Sequence, residues 1–505
     1  MSVILSKKDL SLGQLQFIRI SCTFFLDPLS QEKTKCKKFI ESLRSDPTVP
    51  SSAIDFALNN FYGPLDPILV KYLGKKLRTS ERYQKFQSEI KPPVELFISI
   101  GESVIVPLIL GNLLTGKLHN MEKEVPQKCF DFTGTLKDNQ LELVPTFEKH
   151  LDSIGTTIVG LYPGAGKTII GAYLAAKKKV LCIVFIHLSV QLPQWKNTFE
   201  KVTNAKVWTV GDPSSDKLYD YGKHPCDIII CMEERLSKIP RDIVSKIGMV
   251  IIDEAHAFCT PSRIPCWLTI QPKYLILETA TLKRPDDAME RMAYACAGNW
   301  GVFLKSQKNF DVYPIKTGIV ADNKLLEKNW STFLMNLLMN EQRDKQILEL
   351  VHRNKQRKIL ILTPRKEHVE HLASLLKAKG YTVSTFYGSA DTYKDAPILI
   401  GTFSKIGTAF DEETFCTTFN GIRLEIAILV TTIKKPTALE QSLGRVMRSQ
   451  SPETYILLDE SSIINNHWYI MNWWFKEYTN CNIKPPQVIH VNESKKLTIN
   501  IVKDM

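Results

Sequence analysis

The segment Leu161-Tyr-Pro-Gly164-Ala165-Gly166-Lys167-Thr168 carries the most chemistry in the chain. A glycine-rich turn between a strand and a helix aims backbone N–H groups at a phosphate, its lysine neutralises the β- and γ-phosphates, and the neighbouring hydroxyl can hold Mg2+. Leu161 stands where the strict eight-residue pattern begins with glycine, yet Gly164, Gly166, Lys167 and Thr168 supply the close approach, the charge and the metal ligand. Further along, Met249-Val-Ile-Ile-Asp253-Glu254-Ala255-His256 closes an apolar run with two adjacent carboxylates. Asp253 is expected to hold Mg2+ through water, and Glu254 to orient and deprotonate the water that attacks a γ-phosphate. Taken by itself such a pair is an ordinary start to a solvated loop. With a phosphate loop upstream it reads as a hydrolysis site for a nucleoside triphosphate, ATP with Mg2+. A third segment, Gln441-Ser-Leu-Gly444-Arg445-Val-Met-Arg448, spaces two arginines on one short stretch. An arginine supplied from a second domain stabilises charge on a transferring phosphoryl group by roughly 10³–10⁵ in rate. Arg445 and Arg448 are the candidates for that role.

A second stretch imitates the phosphate loop. Gly111-Asn-Leu-Leu-Thr-Gly116-Lys117-Leu118 has both glycines and the lysine, but Leu118 stands where the metal-holding hydroxyl belongs. It also follows a strand outside any strand–helix–strand unit, so it is expected to be a turn with a chance match.

The elements that must position these residues follow from hydrophobic patterning. From Thr135 the chain alternates apolar runs with helical stretches: Thr157–Leu161, a helix from Lys167, Val180–Ile186, Ile228–Met232, Met249–Asp253 and Leu275–Glu278. The alternation resumes with Ile359–Thr363, a helix over Glu367–Lys379, Thr382–Phe386, Ile398–Thr402, Glu425–Thr431 and Thr454–Leu458. Continuous apolar runs between helices mean parallel strands covered on both faces. The expected fold is therefore α/β, with two tandem parallel-sheet domains. Residues 1–131 form an N-terminal α+β accessory region, 132–310 the first domain, 311–465 the second, and 466–505 a tail packed on the second. Within the accessory region, Glu95–Ile100 and Val104–Leu110 read as two strands joined at Gly101-Glu102, and prolines at 64 and 67 keep any helix over 56–73 short. Leu325, Leu326, Trp330, Phe333, Leu334, Leu337 and Leu338 recur at helical spacing ahead of the second domain. The aromatic tail residues from Trp468 to Tyr478 are expected to pack inward, a base-stacking role being the alternative.

Composition narrows the class. The 505 residues exceed a typical domain about threefold, so two or three cores are expected. A net charge of +12 suits a polyanionic partner, since Lys and Arg that meet phosphates release counterions. The longest apolar stretch, Ser103 to Leu114, contains Pro107 and is too short to span a bilayer, so no membrane partner is expected. The N-terminus lacks the apolar stretch and cleavage site of a signal peptide. The 11 cysteines form no CxxC pair and have no histidines at zinc-ligand spacing, which reads as reduced thiols in a reducing compartment.

In this order the motifs over about Thr135 to Ser449 resemble the superfamily 2 helicases of the DEAH/DExH kind. Leu136-Lys-Asp-Asn-Gln140 is similar to the family's upstream glutamine motif, which implies that Gln140 reads adenine; Asn139 replaces a common aromatic. Ile183 to Trp195 resembles the next motif, with His187-Leu188-Ser189 in place of the frequent Pro-Thr-Lys-like residues. Thr279-Ala280-Thr281, continued by Arg284-Pro-Asp286, looks like the motif that couples hydrolysis to domain movement, and the resemblance counts His256 among the coupling residues. Ile361-Leu-Thr-Pro364 resembles motif IV. Gly401-Thr402 to Asp411 resembles motif V, with Ala409 at the usual glycine position. Gln441 to Arg448 matches motif VI without departure, which adds Gln441 to Gly164, Ala165, Gly166, Lys167 and Thr168 as nucleotide contacts. The resemblance implies two RecA-like domains that close on ATP and move along nucleic acid, with the strand passing Gln191, Thr281 and Thr402.

Within superfamily 2 the length, the accessory region and the Leu-x-x-Gly-x-Gly-Lys-Thr loop look most like the helicases of large nucleocytoplasmic DNA viruses, the poxvirus transcript-release group included. That narrower resemblance implies DNA rather than RNA as substrate, 3′-to-5′ unwinding and a part in viral mRNA elongation or release. It also implies viral RNA polymerase or transcription factors as partners, and the viral factory of the host cytoplasm or the virion as location. A repair or replication helicase, an RNA helicase, and an ATP-dependent clamp that binds nucleic acid without unwinding it are the competing readings.

Overall fold

The computed structural model describes residues 1–24, 31–62, 93–162, 164–189, 191–218, 225–279, 290–304, 308–322, 325, 329–407, 410, 412–434, 436–489 and 499–501. The chain divides into two compact units, Met1–Leu304 and Lys305–Met505.

In the first unit, β1 (Ser2–Ser6), β2 (Thr23–Phe24), β3 (Val94–Glu95), β4 (Ile98–Ile100) and β5 (Ser103–Pro107) make two small antiparallel sheets, β1-β5-β4 and β2-β3. The single strand expected over Glu95–Ile100 is thus two strands in different sheets. The cause is Leu96, which is fully buried and donates its N–H to the Cys22 carbonyl (2.8 Å), turning the chain from one sheet to the other. Of the stretch 56–73, residues 63–73 lie outside the described residues; the part before them completes the helix Ser51–Phe61.

The imitation phosphate loop is not a turn. Residues Leu108–Thr115 form a helix directly after β5, and Gly116 ends it in the left-handed region at φ +68°. A Cβ on Gly111 would overlap the Val3 side chain, so that glycine serves helix packing and Gly116 serves as a C-cap. Neither presents an N–H cradle.

β6 (Thr156–Leu161), β7 (Cys182–Ile186), β8 (Val207–Thr209), β9 (Ile228–Met232), β10 (Met249–Ile252), β11 (Tyr274–Glu278) and β12 (Gly301–Leu304) form a wholly parallel sheet, ordered β12-β6-β11-β10-β7-β9-β8. One face packs on the phosphate-loop helix Lys167–Lys178 and on Gln191–Val202. The other shares a continuous apolar core with the N-terminal region, in which Val3, Phe17 and Ile54 join Phe185, Trp267 and Met292. Ser2 ties the two together, its N–H donating to the Ile270 carbonyl (3.1 Å) and its hydroxyl to the Leu268 carbonyl (2.8 Å).

The second unit is also α/β. Its strands β13 (Asn309–Val320), β14 (Ile359–Thr363), β15 (Val383–Phe386), β16 (Ile398–Thr402), β17 (Ile426–Leu429), β18 (Glu453–Glu460), β19 (Asn480–Ile483), β20 (Gln487–Ile489) and β21 (Ile499–Ile501) run in the order β15-β16-β14-β17-β18-β13-β20-β21, with β19 also on β13. All pairs are parallel except β20 with β21. The helical stretch, which lies between β13 and β14, contains two helices, Trp330–Leu338 and Glu341–Arg353, parted because Asn340 caps the second by accepting the N–H groups of Gln342 (3.0 Å) and Arg343 (3.3 Å). In the tail helix Ser462–Tyr478, Met471, Trp474 and Phe475 are buried against the sheet while Tyr469 is exposed. Among the described residues no helix is long and apolar enough to cross a membrane. All 11 cysteines are free thiols.

Candidate active site

β6 delivers the chain to Leu161, and the loop returns into its helix through two left-handed glycines, Gly164 at φ +87° and Gly166 at φ +85°. That geometry leaves the N-terminus of the helix open at the C-terminal edge of a parallel sheet, where anions bind. Lys167 occupies the first helical position and its Nζ donates to the Leu161 carbonyl (3.0 Å); Thr168 follows, half-buried. Gln140 supports the loop from behind. Its Nε2 donates to the Ala165 carbonyl (3.2 Å) while its Oε1 accepts the N–H of Lys137 (2.9 Å). A Cβ on Gly166 would overlap that carboxamide, so glycine is required there for space as well as for φ. The carboxamide expected to read adenine is thus almost wholly buried against the loop backbone.

β10 lies two strands from β6 and ends at Ile252, so Asp253 and Glu254 open onto the same edge. Two donors converge on Asp253 Oδ2, Gln191 Nε2 at 2.9 Å and the Trp195 indole N–H at 2.8 Å, which fixes that carboxylate. Glu254 adopts φ +50°, ψ 52°, a left-handed conformation that costs a non-glycine residue about 1–2 kcal/mol. The strain turns its side chain toward His256, whose Nδ1 lies 3.2 Å from Glu254 Oε2 and 3.0 Å from the Thr279 hydroxyl. A phosphate cradle, a lysine, a braced aspartate and a strained glutamate beside His256 are groups that together can hydrolyse a phosphoanhydride.

Residues 137–288 match the DEAD/DEAH box helicase family. This stretch is a DEAD/DEAH box helicase domain. A protein of Invertebrate iridescent virus 6 described as a helicase is 25% identical over 402 residues, covering 73% of this chain and 87% of its own. One of Acanthamoeba polyphaga mimivirus, described as an ATP-dependent RNA helicase, is 25% identical over 405 residues, covering 74% of this chain and 73% of its own. Among solved structures, Saccharomyces cerevisiae Dbp5 bound to RNA and ADP BeF3 superposes with a TM-score of 0.47 at 14% identity, covering 68% of this chain and 88% of that one.

Several expected contacts of the helicase sit differently in the structure. Gln191 is buried, and its carboxamide is spent on Asp253 and on the N–H groups of His187 (3.3 Å) and Leu188 (3.0 Å). It braces the hydrolysis site and presents no side chain to a passing strand. Thr402 is buried too. Its hydroxyl accepts the N–H of Lys405 (3.3 Å) at the start of the helix Phe403–Gly407, so it caps that helix. Arg445 donates from Nε to the Ile406 carbonyl and from Nη2 to the Gly407 carbonyl (both 3.2 Å), holding motif VI to the last turn of that helix. Gln441, in the helix Pro436–Leu443, and Arg448 are half-buried beside it. Ala280, Thr281, Ala409 and the Arg284-Pro-Asp286 continuation lie outside the described residues.

Other parts of the helicase site were not foreseen from sequence. Burial, together with the charge on Glu254, pushes the Asp253 carboxyl upward, while His256 and Lys167 outweigh burial at Glu254 and hold that carboxyl down. His187 lies close to this pair, and burial lowers its pKa to about 4. Glu278, the last residue of β11, is fully buried next to the same carboxylates, and burial pushes its carboxyl well above the ordinary range. Beside the site, at the ends of β8 and β9, a cleft of about 510 Å³ is lined in part by Ser189, Lys196, Gly211 and Arg235. Arg235 is set there by donating to the Val210 carbonyl (2.9 Å). Its two cations belong to no motif read from the sequence, because they sit on different elements that only the fold brings together.

Proposed function

We propose that the chain is a DNA-directed helicase acting in viral transcription, in elongation or transcript release, and that its partners include the viral polymerase or its factors. The observation that carries this reading is the company the chain keeps: relatives from large DNA viruses described as helicases, matched over most of this chain. The net charge of +12 suits a nucleic-acid backbone. In this reading Thr168 and Asp253 hold Mg2+ together with the phosphates, as is usual for a cation that keeps few protein ligands. Mg2+ supplies charge neutralisation at the phosphates, Glu254 orients and deprotonates the attacking water, and Arg445 or Arg448 meets the transferring phosphoryl group when the domains close on ATP. Gln140 reads adenine only by exchanging part of its hold on the loop. The DNA-virus setting makes the viral factory of the host cytoplasm the expected location.

A second reading, an RNA helicase, is favoured by the description of the mimivirus relative. ATP turnover with single-stranded DNA, double-stranded DNA or RNA, followed by unwinding of 3′- and 5′-tailed duplexes, separates the two. DNA-selective stimulation with 3′-tailed unwinding supports the first reading, and RNA-selective stimulation the second. ATP-dependent binding without strand separation would make the protein a clamp. In every active case, binding should weaken linearly in log K against log salt.

A further inference from the structure

Glu278 has no exposed surface, and neither carboxylate oxygen has a hydrogen-bond partner among the described residues. Its place in the fold is specific. β11 pairs with β10 through Leu277 and Ile252, so the next residues on the two strands are Glu278 and Asp253, side by side at the edge where nucleotide binds. On the helix side, a Cβ on Gly171 would overlap Glu278 Oε1 and approach the tip of the Trp195 ring (3.2 Å). The carboxyl therefore lies against the phosphate-loop helix at Gly171, with the tip of the Trp195 ring beside the same glycine. Gly171 lies one helical turn beyond Lys167 and Thr168, so a shift of the helix at this contact moves both.

An unpaired buried carboxyl destabilises a fold, and an apolar side chain of similar size would not. Three carboxyls, Asp253, Glu254 and Glu278, crowd one lysine, and burial followed by the charge of Asp253 disfavours the ionised form of Glu278. The residue thus weakens the fold at the spot where nucleotide is expected to bind.

We propose that Glu278 is a positioning residue for ATP hydrolysis, unpaired among the described residues, which gains a hydrogen-bond partner at the phosphate-loop helix when that helix seats on nucleotide. The energy of this new contact favours the seated loop, so part of the nucleotide's stabilising effect passes through Glu278. The inference rests on ATP hydrolysis at this site, and wild-type turnover measured in parallel distinguishes failure of that premise from failure of the role assigned to Glu278.

The test compares Glu278→Met, which keeps length and bulk without polarity, with Glu278→Gln, which keeps hydrogen bonding. Nucleotide-free Glu278→Met should melt about 3 °C or more above wild type. Its thermal shift on adding a non-hydrolysable ATP analogue should shrink, and its nucleic-acid-stimulated kcat should fall at least about tenfold with KM for ATP little changed. Glu278→Gln should retain most of both the thermal shift and kcat. Lower melting of nucleotide-free Glu278→Met would show a carboxyl already satisfied in the resting fold and overturn the proposal. So would unchanged nucleotide response and kcat, or loss in Glu278→Gln equal to that in Glu278→Met.

Discussion

The Nδ1 atom of His256 lies 3.0 Å from the hydroxyl of Thr279. His256 lies two residues beyond the glutamate placed to handle the attacking water, and Thr279 directly follows β11, so this contact joins the candidate hydrolysis site to the segment expected to couple it to movement. Thr279→Val keeps the shape and removes the hydroxyl. It should leave ATP turnover within about threefold of wild type and cut strand separation at least about tenfold, because a buried hydrogen bond is lost away from the reacting atoms. Equal loss of turnover and unwinding would place the contact in the chemistry itself.

The two glycine-lysine stretches predict opposite outcomes. Lys167→Ala removes the cation that neutralises the β- and γ-phosphates and should abolish turnover. Lys117 is exposed just past a helix C-cap, and Lys117→Ala should leave turnover and melting temperature unchanged. ATPase assays on the two purified variants decide the assignment. A large loss in a folded Lys117→Ala protein would reverse it.

Much of this was legible in the sequence because buried parallel strands read as unbroken apolar runs: β9, β14 and β16 have the expected bounds to the residue. β13 was not legible. Its exposure alternates along Asn309–Val320 and it contains Pro314, a residue that ordinarily argues against an interior strand. The fold accommodates the missing N–H by a gap: pairing with β19 stops at Val312 and pairing with β20 begins at Ile315. At the candidate site, spacing singled out the loop, the Asp-Glu pair and the Gln441–Arg448 segment, since each is contiguous. It could not show which way a side chain turns, so Gln191 and Thr402 were expected to face a strand although both are buried. Glu278 gave no signal either, being the last residue of an apolar run.

Burial, with the charge of Arg343, lowers the His368 pKa to about 3, and its Nδ1 lies 2.8 Å from the Thr363 hydroxyl. The folded state therefore keeps this histidine neutral while the unfolded chain takes up a proton below about pH 6.5. The unfolded state binds more protons between those values, so stability falls as pH drops through that window, by up to about 1.4 kcal/mol per pH unit for this residue. Chemical denaturation at about pH 6 and about pH 4.5 should show a shallower pH dependence for His368→Gln than for wild type. Identical slopes would mean that His368 titrates normally in the fold.

Arg445 is held by the carbonyls of Ile406 and Gly407. If it or Arg448 serves the transferring phosphoryl group, Arg445→Ala or Arg448→Ala should reduce nucleic-acid-stimulated turnover by about 10³-fold or more while changing ATP affinity far less. Turnover with and without DNA, beside a nucleotide titration, reads this directly. Wild-type stimulated turnover in both variants would remove the arginines from the mechanism.

The central claim is that Glu254, strained at φ +50° and held by His256, handles the attacking water in ATP hydrolysis. Its most direct test is single-turnover ATP hydrolysis by Glu254→Gln, measured with the affinity for ATP on the same preparation. The amide keeps the shape and cannot take the proton, so hydrolysis should fall by at least about 100-fold with ATP affinity within about threefold of wild type. Wild-type hydrolysis in this variant, or a loss of ATP binding as large as the loss of hydrolysis, would contradict the account.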